Sequence, residues 1–288
     1  MSANKKMKIG IQLYSLRNAM AEDPLGTLGK VMDMGYRYLE VANHKADTNP
    51  GIGYDVPMDK LKDLLTQKNA SIVSAHVFPL IPEKLGPSLE FFSKLGTKYI
   101  CWSMDFFTSY DDTKQKAETM NKIGSLCKEY GQKLLYHNHF HEFQKIEGKE
   151  ILDILIENTD PELVGLELDT YWAMRAGKDP VAVLKKYGKR IPLIHQKDYP
   201  KGLDSDIDLL AKIKEGEKIT HETFASMVDQ KSFTEVGTGI MDIQSIVDAA
   251  NEYCDYIILE QDFTQMPTEL DSVKKSMDNF KNFRGVEL

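Results

Sequence analysis

Short apolar runs alternate with longer amphipathic stretches along the whole chain. The runs KIGIQLY (8–14), YRYLEVA (36–42), SIVSAHV (71–77), TKYICWS (97–103), KLLYHNH (133–139), LVGLELD (163–169), IPLIHQ (191–196) and YIILEQ (256–261) read as buried strands by length and composition. Most of the stretches between them carry helix punctuation. In DPLGTLGKVMDMG (23–35), Asp23 stands at an N-cap, Pro24 at the first helical position and Gly35 at the stop. GKDPVAVLKKYGKR (177–190) repeats the design with Asp179, Pro180 and Gly188. Alternation of this kind predicts a parallel sheet. Eight such units in 288 residues predict a single α/β domain over residues 1–288, a (β/α)8 TIM barrel.

The loops differ at the two ends of the predicted strands. Those at the amino ends are short, as in GYRY (35–38) and GQKL (131–134), whereas those at the carboxyl ends are longer and carry His, Asp, Asn and aromatic residues. In a barrel this asymmetry places chemistry on the carboxyl face. Residues 199–239 break the rhythm, because about 40 residues separate the seventh strand from a helix starting near Asp242. This segment is expected to be an extended loop or lid over the carboxyl face.

Composition narrows the class. Hydrophobic residues make up 42% of the chain, enough for a sizeable core. The net charge of −8 argues against a basic nucleic-acid footprint. No run approaches the length of a membrane span. The three cysteines, Cys101, Cys127 and Cys254, include no CxxC pair, so three thiols in a reducing compartment are expected. The start MSANKK has no apolar segment and runs into a strand, which favours a cytoplasmic place. A periplasmic one requires a leader removed upstream. Self-association into a homo-oligomer stays open.

Strand ends in the second half of the chain carry metal-ligand residue types. The segments LLYHNHFHEF (134–143), LVGLELDTYW (163–172), IPLIHQKD (191–198) and YIILEQD (256–262) supply Glu142, Asp169, His195 and Glu260. Three carboxylates and one imidazole converging on the carboxyl face would hold a divalent cation. Asp169 also fits a helix cap, and a lone His195 fits a hydrogen-bonded core residue. Burying an unpaired Glu260 costs several kcal/mol, on the order of the penalty for any uncompensated charge. The segment YHNHFHEF is crowded: His137, His139, His141 and Glu142 are all ligand types, and spacing alone does not choose among them. Other strand ends add pocket candidates: Gln12, Tyr14, Glu40, His76, Trp102, Trp172, Lys197 and Glu235. Tyr14, Trp102 and Trp172 suit a sugar face, while Lys197 and Arg175 suit an anionic group. No nucleotide-binding glycine motif is present.

These residues carry a resemblance. GIQLYSLR (10–17), GYRYLEVAN (35–43), SAHV (74–77), YHNHFHEF (136–143), ELDTYWAMRAGKDP (167–180), IPLIHQKD (191–198), EVGTGIMD (235–242) and IILEQD (257–262) occur in order. With them the chain resembles the sugar phosphate isomerase/epimerase family of the xylose isomerase-like barrels. The resemblance implies a TIM barrel with one divalent metal on Glu142, Asp169, His195 and Glu260. It also implies that Glu142 and Glu260 flank the substrate carbon as acid and base. There are two departures. Trp172 stands where epimerases commonly have a histidine three residues after the metal aspartate. His137 stands where they often have the first glutamate, which shifts that ligand downstream to Glu142.

The expected function is a metal-dependent isomerase, epimerase or lyase acting on a small carbohydrate or polyol. It would remove a proton next to a carbonyl and stabilise the enediolate. Glu142 or Glu260 would be the base, with His76, His139 or Lys197 as proton partner or oxyanion stabiliser. Mn²⁺, Mg²⁺ or Co²⁺ suits the donors, and Zn²⁺ is compatible. Lyases or dehydratases acting on 3-keto-glycosides or inososes are one alternative. A non-catalytic sugar-binding barrel is another. An uncharged sugar is favoured over a phosphate ester, although EVGTG (235–239) offers an anion-binding turn.

Overall fold

The computed structural model describes residues 6–203, 205–214 and 216–287. The expectation about residues 1–5 therefore lies outside the described residues.

Eight parallel strands close into a ring: β1 (Met7–Gln12), β2 (Tyr38–Asn43), β3 (Ser71–Val77), β4 (Tyr99–Trp102), β5 (Lys133–His137), β6 (Val164–Asp169), β7 (Leu193–Gln196) and β8 (Tyr256–Leu259). Closure is made by β8 on β1, with Lys8 opposite Tyr256 and Ile11 opposite Leu259. A short β9 (Val286–Glu287) adds to the amino end of β1. This is a (β/α)8 barrel, as the sequence predicts.

The helices begin where the caps are. Asp23 accepts from the Gly26 amide and starts the helix Pro24–Asp33, while Gly35 has φ +117°. Asp179 accepts from the Val181 amide and starts the helix Pro180–Tyr187. Asp242 does the same for Ile243–Ala250. Each carboxylate satisfies an amide that the first helical turn leaves unpaired.

The barrel interior has two chemical zones. Its amino half is a plug of Val73, Cys101, Leu135, Leu193, Tyr256 and Ile258, with Tyr38 and Tyr99 packed against it. Nearer the carboxyl ends the inward side chains turn polar: Gln12, Glu40, His76, Glu167 and His195, all buried. Charged groups at this depth persist only when paired or used.

Residues 199–239 contain a short helix, His221–Met227, between two single-turn helices, Leu210–Lys212 and Gln230–Ser232. Their anchors are carboxyl-end elements. The Leu209 amide donates to the carbonyl of Arg175, and the Tyr171 hydroxyl to that of Ser232. The Gln144 side-chain Nε2 donates to the carbonyl of Glu217. Asp198 secures the return of the segment, accepting from the amides of Gly237, Gly239, Met241 and Tyr199 at 2.9–3.1 Å. No helix among the described residues is long and apolar enough to cross a membrane. All three cysteines are buried thiols.

Candidate active site

Four residues from four strand ends meet on the carboxyl face: His137, Asp169, His195 and Glu260. Their donor atoms all lie within 4.8 Å of one another. All four side chains are buried.

His137 ends β5, and its Nδ1 lies 3.3 Å from the carbonyl of Ser103. A carbonyl only accepts, so Nδ1 carries the hydrogen and Nε2 keeps a lone pair. That Nε2 is buried with no hydrogen-bond partner, 3.5 Å from Asp169 Oδ2 and 3.8 Å from Glu260 Oε2.

Asp169 ends β6 and divides its two oxygens. Oδ1 accepts from the Trp172 amide at 2.8 Å, capping the helix Thr170–Arg175. Oδ2 faces the group. Helix cap and candidate ligand are thus the same side chain.

His195, on β7, turns Nδ1 to Glu260 Oε2 at 3.0 Å and Nε2 to Glu40 Oε2 at 2.5 Å. Glu260 follows β8 directly. Lys197 lies two residues beyond His195 on the same side of the chain, as strand alternation requires. Its ammonium contacts Asp169 Oδ2 and lies 2.5 Å from Glu260 Oε2 and 3.8 Å from Asp262 Oδ2.

The electrostatics follow from burial and charge. Burial opposes a charged Lys197, but Asp169, Asp262 and Glu260 outweigh it and hold the ammonium well above its usual pKa. Burial would raise Glu260, yet Lys197 and His195 keep it well below the usual carboxylate range. For His139 burial dominates, helped by His137 and His141, so the ring is neutral. Its Nδ1 has no partner. The ring lies between Trp172 and Phe224, with centroids 5.4 and 5.2 Å away.

Beneath this group lies a second one: Glu40, His76, Glu167 and His195. His76 Nε2 is 2.6 Å from Glu167 Oε2, and the Cys101 thiol donates to the same oxygen at 2.9 Å. Burial, then the neighbouring Glu167, lifts Glu40 to about 7.

The sequence-based candidates divide against this geometry. Asp169, His195, Glu260 and Lys197 are brought together. Glu142 is not among them. Its Oε1 accepts from the Tyr136 hydroxyl at 2.6 Å and its Oε2 from the His139 amide at 2.9 Å, so it braces the turn leaving β5. The member of the group from the end of β5 is His137 instead. The expected place of Glu142 beside Asp169, His195 and Glu260 is therefore corrected: it stands apart from them.

Gln12, Glu40 and His76 lie in the lower zone, not on a pocket wall. Gln12 donates to Glu40 at 2.9 Å. Glu235 accepts from Thr264 and Ser272 and ties the end of the long segment to the barrel. Trp102 is half-buried and donates to the carbonyl of Met104. Tyr14 is half-buried beside His44 and under the Arg17 guanidinium. Trp172 is buried beneath the Lys197 ammonium, 5.7 Å from its ring centroid.

Two anion candidates are already engaged. Arg175 is buried and donates to the Tyr171 hydroxyl and to the carbonyl of Ile207. The amides of Gly237 and Gly239 in EVGTG are taken by the carboxylate of Asp198. Sequence reasoning missed Glu167. Counting back two residues from Asp169 on a strand puts it on the same face.

A closed (β/α)8 barrel with imidazoles and carboxylates gathered at the carboxyl ends of its strands defines a class: TIM-barrel proteins built for chemistry at that face. The chain belongs to the xylose isomerase-like TIM barrel family, which it matches over residues 28–283. Among curated proteins it is 28% identical over 284 residues to an inosose dehydratase of Clostridium beijerinckii, covering 89% of this chain and 90% of that one. Among solved structures, a sugar phosphate isomerase/epimerase from Parabacteroides distasonis superposes with a TM-score of 0.76 at 24% identity, covering 100% and 98% of the two chains. The IOLI protein with a bound zinc atom superposes at 0.70 with 16% identity, covering 96% and 97%. These two structural likenesses show the fold.

Proposed function

We propose that this chain is a lyase that dehydrates a small, uncharged keto-polyol of the inosose type. One divalent cation would be held by His137, Asp169, His195 and Glu260. The observation that carries the cation site is the unpartnered Nε2 lone pair of His137, buried opposite two carboxylates. Leaving such an acceptor empty costs about 1–3 kcal/mol, and a cation removes that cost. Two imidazoles and two carboxylates suit Mn²⁺, Co²⁺ or Zn²⁺ better than Mg²⁺. The dehydratase reading is supported by similarity to inosose dehydratases over most of the chain.

A bound cation supplies positive charge beside the substrate carbonyl, which lowers the cost of removing the neighbouring proton. The other steps fall to side chains. The Glu260 carboxylate takes the proton from the carbon next to the carbonyl. The Lys197 ammonium gives a proton to the hydroxyl on the following carbon. The C–H and C–O bonds break, a C=C bond forms, water leaves and the enol product ketonises. Glu260 and Lys197 lie 2.5 Å apart, so the captured proton passes back to the amine and both groups are reset. His139, neutral and with its Nδ1 unpartnered, hydrogen-bonds a substrate hydroxyl, while Trp172 and Phe224 form an apolar wall. The absence of phosphate from the proposed substrate rests on the prior engagement of Arg175 and of the Gly237 and Gly239 amides.

The test is a keto-inositol incubated with cation-loaded protein in D₂O. Loss of water, with deuterium incorporated next to the carbonyl, is expected. Exchange without loss of water would assign an isomerase or epimerase, which shares the first step. Binding with neither exchange nor water loss would assign a sugar-binding barrel.

A further inference from the structure

The lower buried group is not used by the chemistry above, yet it shares His195 with the upper one. A ring nitrogen can be a ligand only if its hydrogen is on the other nitrogen, and a buried partner decides which. His195 Nε2 is 2.5 Å from Glu40 Oε2, while Nδ1 faces Glu260 at 3.0 Å. Each nitrogen thus faces a carboxylate; a cation seated beside Glu260 would displace the hydrogen on Nδ1, and the hydrogen held by Glu40 stays on Nε2.

Glu40 is itself fixed. Gln12 donates to the same oxygen at 2.9 Å, and His76 Nε2 stands 3.5 Å away while bound to Glu167 at 2.6 Å. Glu40, Glu167 and His195 are fully buried, so no water competes for these contacts. The rings of His76 and His195 stack at 5.4 Å with planes 2° apart, which blocks rotation of the His195 ring.

We propose that Glu40, backed by Gln12 and the His76–Glu167 pair, is a positioning residue that locks His195 with Nδ1 presented to the cation. The inference rests on the cation reading of the upper group. Glu40 touches neither cation nor substrate and acts through His195 alone.

The experiment is Co²⁺ titration of wild type, Glu40→Met and Glu40→Gln, with ¹⁵N NMR of the His195 ring in protein loaded with diamagnetic Zn²⁺. Met removes the acceptor at similar volume; Gln keeps an acceptor without the charge. The expected loss of Co²⁺ affinity is about 10–100-fold for Glu40→Met and smaller for Glu40→Gln. In Zn²⁺-loaded wild type the NMR is expected to show hydrogen on Nε2 and none on Nδ1, a readout that needs no variant to fold. Three results would overturn the inference while leaving the cation site standing. They are unchanged Co²⁺ affinity in Glu40→Met, a Zn²⁺-loaded wild-type ring with hydrogen on Nδ1, or a second Co²⁺ per chain that disappears in Glu167→Gln. Failure of wild type to bind Co²⁺ at all would overturn the cation reading and this inference with it.

Discussion

The Lys197 ammonium lies 2.5 Å from Oε2 of Glu260 and also contacts Asp169. A positive charge thus already sits on the two carboxylates proposed to hold a divalent cation. Cation and ammonium repel when both are seated there. Unit charges about 4 Å apart interact by about 4 kcal/mol at an effective dielectric near 20. Replacing Lys197 by Met is therefore expected to tighten Co²⁺ or Mn²⁺ binding at least about tenfold, or about 1.4 kcal/mol. Turnover should fall by about 10²–10⁴-fold, because the proton donor is gone. Calorimetric titration and initial rates check the two halves. Unchanged affinity would show that Lys197 does not share the cation's seat.

Glu142 and Glu260 are expected to separate cleanly. Glu260→Gln should abolish turnover and weaken cation binding, since the amide cannot take the proton. Glu142→Gln should keep the full cation content. It should still lower stability by about 1–3 kcal/mol, because an amide in place of the carboxylate mismatches the Tyr136 hydroxyl or the His139 amide. Elemental analysis and urea unfolding of both variants decide this. Loss of bound metal in Glu142→Gln would restore Glu142 as a ligand.

Much of this was legible before the structure. The eight strands fall where the apolar runs predict, and caps such as Asp23, Asp179 and Asp242 mark helix starts. Asp169, His195 and Glu260 were readable because a strand end fixes where a side chain points. His137 against Glu142 was not. After His137 the chain leaves β5 in a turn, and alternation no longer tells which of four candidate side chains faces inward. Glu167 was readable but hidden inside an apolar run, where a carboxylate looks like an interruption. From sequence Glu40 reads as pocket lining, because sequence places a residue on a strand face without giving its depth in the barrel.

Phe224 ties the long segment to the site. Its ring packs on His139, His141, Phe140 and Trp172 with centroids 5.2–5.8 Å away. The helix that carries it, His221–Met227, buries none of its residues completely. Phe224→Ala should therefore raise KM, by up to about tenfold if one or two aromatic contacts of about 0.5–1.5 kcal/mol are lost. The melting temperature should barely move. A variant with wild-type KM would remove the segment from the site.

Gly10 tests barrel closure. A Cβ there would lie 2.4 Å from Ile258 Cδ1 and 2.7 Å from the carbonyl oxygen of Tyr38. The backbone oxygen cannot yield, because β1 and β2 are paired at that point. Gly10→Ala should destabilise by about 1–3 kcal/mol, as overpacking does. Thermal unfolding checks it, and an unchanged transition would mean that the strands are less tightly registered.

The central claim is that His137, Asp169, His195 and Glu260 hold one divalent cation. The most direct measurement is the stoichiometry of Co²⁺ binding to metal-stripped wild type and to His137→Gln, read by titration and by the visible Co²⁺ spectrum. One equivalent per chain in wild type is predicted. In His137→Gln the affinity should fall at least about tenfold, about 1.4 kcal/mol, with a changed spectrum. No bound Co²⁺ in wild type, or identical affinity and spectrum in His137→Gln, would contradict the account.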